Sequence, residues 1–142
     1  MGNAQQKSEE RRSYRRISDA IGLRVDIMDA AANESEIEPV ELPDYPTHVV
    51  SLSPNGLKCY HTDPFNDGDQ VRLTMRLFPE QTVIEMVAEV VSAGEDRTRS
   101  KTDRFFAGLA FREVSKENHD ILLEHIDLVA RQSFGGAVKL VN

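Results

Sequence analysis

Four arginines fall within six residues in "RRSYRR": Arg11, Arg12, Arg15 and Arg16 surround Ser13 and Tyr14. A guanidinium is a planar fork of donors that matches phosphate oxygens, and it can also stack on a base or pair with the Hoogsteen edge of guanine. A second set of polar groups lies in "SLSPNG", where Ser51 and Ser53 are two residues apart and so share a face if the segment is a strand. Gly56 can adopt backbone conformations closed to other residues and Asn55 tolerates them next best, so "PNG" reads as a sharp corner. Each stretch has two readings. The arginines can clamp an anion or form a solvated basic segment; the hydroxyls can meet a ligand or satisfy the turn's own backbone.

Other chemistry-bearing residues form no set. His48, His61, His119 and His125 show no metal spacing, and the last two are six apart where a shared ligand on a helix wants four. The single Cys59 lies in an expected strand with no cationic neighbour to activate it, and Glu85 and Glu89 occupy the polar face of another. Phosphate-loop, Ser-His-Asp and oxidoreductase fingerprints are missing, so no catalytic residue, metal or cofactor is expected.

The elements that must hold these residues follow from hydrophobic period. Leu23, Val25 and Ile27 alternate with Arg24 and Asp26, Val71 to Leu77 alternates apolar with Arg72, Thr74 and Arg76, and Ile84, Met86, Ala88 and Val90 share a face. Thr47 to Leu52 and Leu57 to His61 flank the corner as two more strands. "RFFAGLAFREV" is another, with Phe105, Ala107, Leu109 and Phe111 on one side and Gly108 on the other. Glu34 to Asp44 reads as an acidic loop with a short extended piece at Ile37 to Leu42, and "AGEDRTRSKTD" as a charged loop. The period changes in "SKENHDILLEHIDLVARQ", where Leu122, Ile126 and Val129 recur at helical spacing, Leu123 and Ala130 widen the stripe, and Ser115 suits an N-cap. About six strands followed by one helix predict a small antiparallel β-barrel capped by a helix.

Bulk properties narrow the partners. A length of 142 residues suits one domain, and a formal net charge of −7 opposes general nucleic-acid binding, which needs a basic face. One cysteine fits a reducing compartment, so the cytoplasm is expected. No apolar run reaches the roughly 20 residues of a membrane span, the N-terminal stretch lacks a signal peptide's apolar middle, and Gln6 stands where a myristoylation signal wants Ser or Thr.

Taken together, "RRSYRR" and, 35 residues after Arg16, "SLSPNG" resemble the PilZ domain family, whose members bind cyclic di-GMP. The family's R-x-x-x-R falls on Arg12 and Arg16, with Arg11 just before, and its [D/N]-x-S-x-x-G falls on Ser51, Ser53 and Gly56. "FAGLAF" is similar to the family's last strand and "DILLEHIDLVAR" to its C-terminal helix. The resemblance implies an all-β fold, a six-stranded antiparallel barrel with a C-terminal α-helix. It divides the chain into a flexible tail at 1–10, the domain at 11–132 and a C-terminal tail at 133–142.

The resemblance also implies a site and a mechanism. Arg12 and Arg16 would clamp phosphate and base with Arg11 assisting, Ser51 and Ser53 would contact a guanine, and Gly56 would shape the corner. The arginine segment would order over the dinucleotide and pass the signal to a separate effector protein of motility, pilus or exopolysaccharide machinery. Ser51 departs from the family's Asp or Asn. A neutral hydrogen bond contributes about 0.5–1.5 kcal/mol against about 1.5–3 for a charged one, so the exchange costs about 1 kcal/mol, several-fold to tenfold in affinity. A protein-interaction adaptor of the same fold with weak or no nucleotide binding is the alternative.

Overall fold

The computed structural model describes residues 16–28 and 41–141, with side chains as far as Gln132. Six strands, β1 (Ile17–Ile27), β2 (His48–Ser53), β3 (Gly56–His61), β4 (Gln70–Leu77), β5 (Thr82–Glu95) and β6 (Phe105–Glu113), precede one helix, α1 (Lys116–Val141). The strands close into a barrel in the order β1-β2-β3-β6-β5-β4, and every neighbouring pair is antiparallel. The expected six-stranded barrel with a C-terminal helix is therefore the observed architecture.

Closure depends on two long strands that each serve two neighbours. The first half of β1 pairs with β2 (Ile17↔Leu52 to Ile21↔His48) and the second with β4 (Gly22↔Arg76 to Ile27↔Val71). β1 begins six residues before Leu23, so it enters the sheet immediately after Arg16. β5 pairs along β4 at one end and β6 at the other, with register shifts at Val87/Ala88 and Val90/Ser92. It also runs to Glu95, so Ala93 to Glu95, expected in a charged loop, pair with Ala107 to Phe105. Backbone pairing across the barrel thus overrides the polar composition of that segment.

Alternation fills the interior. Val50, Leu52, Leu57, Cys59, Leu73, Met75, Ile84, Met86, Val90 and Leu109 are buried in one core, which turns Ser51, Ser53 and Lys58 to the outer wall. Ile27, expected on the inner face with Leu23, is 56% exposed because it ends its strand.

α1 closes the barrel against β1 and β5. Leu122 is fully buried and Ile126 nearly so, and burying a leucine or isoleucine contributes about 1.5–3 kcal/mol. Ser115 caps the helix as expected: its Oγ accepts from Asn118 N at 3.0 Å. α1 continues to Val141 through the segment set apart as a tail. The 1–10 tail, Glu34, Glu36, Glu38 and most of the extended piece at Ile37 to Leu42 lie outside the described residues.

Candidate functional site

The two sequence stretches meet on the outer wall. β1 and β2 pair with Ser18 opposite Ser51, which carries Arg16, two residues before Ser18, to the same corner. Arg16 Nη1 donates to the Ser51 carbonyl oxygen at 3.3 Å and to Ser51 Oγ at 3.4 Å. Arg16 is exposed and Ser51 half-buried, so the contact sits at the surface. Arg11 and Arg12 lie outside the described residues.

The corner itself is tighter than the sequence suggests. Ser53 is 8% exposed, and its Oγ donates to the Gly56 carbonyl at 3.1 Å while accepting from Asn55 N at 3.4 Å. The turn-satisfying reading of this serine is therefore present in the structure. Two further bonds brace the turn: Phe111 N donates to the Asn55 carbonyl at 2.9 Å, and His119 Nε2 of α1 donates to the Pro54 carbonyl at 3.2 Å. Neither Asn55 nor Gly56 has a left-handed φ. Glycine is required for a different reason: a Cβ at position 56 would lie 2.2 Å from the Leu109 carbonyl oxygen, because β6 runs directly against the corner.

Arg16, Ser51, Ser53 and Gly56 line one depression of about 360 Å³. Its floor crosses from β2 to β5 and adds Asn55, Lys58, Val91, Ser92, Leu109, Ala110 and Gly108. Among the described residues two cations and three hydroxyls line it and no carboxylate does, an arrangement whose charge suits a polar anion. A second depression of about 440 Å³ mixes Arg72 and Arg112 with Glu85 and Glu113. Arg112 there is already paired with Glu89 at 3.1 Å, so its charge is largely answered from within.

Sequence reasoning missed Lys58, Val91, Ser92 and Gly108. Lys58 was legible, two residues after Gly56 in an alternating strand. Val91 and Ser92 were not, because a bulge shifts the register between Val90 and Ser92 and leaves Val91 52% exposed at the rim.

The remaining titratable groups are structural. Burial pushes the Cys59 thiol up to about 12, so it stays protonated and inert. His48 is lowered by burial and by the nearby His61, whose ring stacks at 6.1 Å. His125 is fully buried at its side chain, with Nε2 2.6 Å from Asp19 Oδ2 and Nδ1 2.7 Å from Glu80 Oε2. Desolvation alone would lower it, but hydrogen bonds and charge from Asp19 and Glu80 outweigh that and raise it. Among the described residues no group of His, Cys, Asp and Glu is arranged to hold a metal, and no helix is long and apolar enough to cross a membrane.

A closed six-stranded antiparallel barrel with a terminal helix defines the class of small helix-capped β-barrel domains. The PilZ domain family model matches residues 10–128, and the chain belongs to that family. No curated protein matches the sequence. The fold is similar to that of the Bacillus subtilis inhibitor of motility MotI/DgrA, with TM-score 0.58 and 21% identity over 88% of this chain. This chain spans about half of that protein, 52% of its length. It is also similar to a Xanthomonas campestris protein described as a tetrameric PilZ domain self-assembled through a helical bundle. There the TM-score is 0.62 and the identity 8%, over 86% of this chain and 91% of that one.

Proposed function

We propose that this protein is a cyclic di-GMP receptor that acts as an adaptor, not an enzyme, and that the depression beside Arg16 and Ser51 is where the nucleotide binds. The observation that carries the reading is the meeting of Arg16, from the first motif, with Ser51, Ser53 and Gly56 of the second at one hollow that no described carboxylate lines, with Arg16 bonded to Ser51. A dinucleotide with two phosphates and two guanines needs cations and donors on more than one side. Arg16 offers them just before β1, and Arg11 and Arg12, a few residues earlier in the chain, are the further cations this reading assigns to the ligand.

Closure changes the charge and shape of the surface at this corner, and a partner protein reads that change. His119 ties α1 to Pro54 in the same corner, so the helix is the element best placed to carry the signal. The effector belongs to motility, pilus or exopolysaccharide machinery, and the complex forms in the cytoplasm. A motility role draws support from MotI/DgrA, which is itself named an inhibitor of motility.

A second reading is favoured by Ser51, which replaces the family's Asp or Asn: a PilZ-fold interaction adaptor with weak or no nucleotide binding. Calorimetric titration with cyclic di-GMP separates the two. Saturable heat at micromolar or tighter affinity that GTP does not reproduce supports the receptor, silence supports the adaptor, and hydrolysis products in the mixture overturn both.

A further inference from the structure

Both motif serines of the depression already have partners within the fold. Ser53 commits its hydroxyl to the turn, and Ser51 faces Arg16. Two residues across the neighbouring strands differ. Lys58 and Ser92 both line the hollow, and neither side chain has a hydrogen bond or ion pair with another described residue. The field of Lys58 reaches Asp96, but no described carboxylate stands within ion-pair distance of the ammonium.

Both groups are placed by the fold. Ser51, Lys58, Gly108 and Ser92 form one line across β2, β3, β6 and β5. Three strand spacings of about 4.8 Å make that line roughly 14 Å long. Lys58 is held over an aromatic ledge, with Nζ 4.9 Å from the Phe106 ring centre and 5.6 Å from that of Tyr60. The Arg99 guanidinium in turn lies 3.5 Å over the Tyr60 ring. Cation–π contact of this kind restrains the lysine without neutralising it. Gly108 makes room for Ser92: a Cβ there would stand 2.4 Å from Ser92 Oγ, so the serine hydroxyl occupies the space a side chain would have taken.

We infer that Lys58 and Ser92 extend the nucleotide site across the sheet beyond the motif residues. Arg16 takes one phosphate of the ligand, Lys58 takes the other, and Ser92 donates its hydroxyl to the ligand between β5 and β6. The inference rests on the receptor reading and deepens it: a hollow with two distinct cations, Arg16 beside Ser51 and Lys58 on the next strand with its ammonium over Phe106, selects a ligand carrying two separated phosphodiester charges over a mononucleotide carrying its charge at one end.

Lys58→Gln and Ser92→Ala, titrated with cyclic di-GMP beside the wild-type protein over a range of salt, test it. Lys58→Gln is expected to weaken binding roughly fivefold to tenfold, the loss of one partly exposed charge-assisted contact. It should also reduce the salt dependence of the binding constant by about one charge, which a merely structural role for the lysine would leave alone. Ser92→Ala is expected to weaken binding roughly two- to fivefold with the salt dependence unchanged. Wild-type affinity and salt dependence in Lys58→Gln would overturn the inference and leave the receptor reading standing. A wild-type protein that gives no heat with cyclic di-GMP would overturn both. Thermal melts of both variants within a degree or two of wild type ensure that the losses are read at the site.

Discussion

Arg16 Nη1 lies 3.3 Å from the carbonyl oxygen of Ser51 and 3.4 Å from its hydroxyl, so the last arginine of one motif is bonded to the first serine of the other. The bond is exposed and long. Contacts of that sort contribute well under 1 kcal/mol to folding, whereas the same guanidinium aimed at a phosphate forms the strong, forked kind. Arg16→Ala should therefore remove measurable binding of cyclic di-GMP by calorimetry while shifting Tm by no more than about 2–3 °C. Retained affinity would remove Arg16 from the clamp.

Ser51 is the position where the chain departs from its family, and it can be restored. Ser51→Asp sets a carboxylate beside Arg16 and offers a guanine edge a charged acceptor in place of a hydroxyl. The difference between the two kinds of bond is about 1 kcal/mol, so affinity should rise several-fold to tenfold, with Ser51→Asn in between. Equal or weaker binding in both variants would mean that no base edge is read from this position.

Gly56 is held by the closeness of β6. Its pairing with Ala110 leaves no volume for a methyl group, since the Leu109 carbonyl oxygen would lie 2.2 Å from the added carbon. A backbone atom cannot swing aside as a side-chain tip does, so Gly56→Ala must part β3 from β6 at the corner. The expected cost is about 2 kcal/mol or more, read as a lower urea midpoint with an unchanged slope. Full stability in that variant would show that the corner relaxes at little cost.

Much of this was legible beforehand because strand alternation is a local signal. Val50 and Leu52 turning inward force Ser51 and Ser53 outward, and the helical stripe at Leu122 and Ile126 marks what closes the barrel. What could not be read depends on pairing between distant residues. The bulge that presents Val91 and Ser92 exists only because β5 and β6 slip past each other. The reason for Gly56 lies 53 residues away in Leu109, and Ser53 loses its freedom to a turn whose bonds no periodicity reports. Likewise, His119 and His125 show no metal spacing, yet one braces the Pro54 corner and the other is clasped by two carboxylates.

That clasp gives the fold a pH dependence of predictable sign. His125 on α1 reaches Asp19 on β1 and Glu80 in the β4–β5 turn through different ring nitrogens. Only the imidazolium carries two N–H donors. A neutral ring would turn a lone pair toward one of the carboxylates. The folded-state pKa is raised, so the stabilisation from this group is fully present below the unfolded value near 6.5 and is lost as pH rises through the folded one. In urea titrations, His125→Gln should cost about 1.5–3 kcal/mol at pH 6, the worth of a hydrogen bond to a charged group. That cost should shrink as pH rises through the folded-state value and the wild-type ring loses its proton. Because Asp19 lies three residues from Arg16 along β1, loosening α1 at high pH should also weaken nucleotide binding at the adjoining corner. A destabilisation by His125→Gln that stays constant across a pH series run upward from pH 6 until the fold is lost would show that the clasp acts through packing alone.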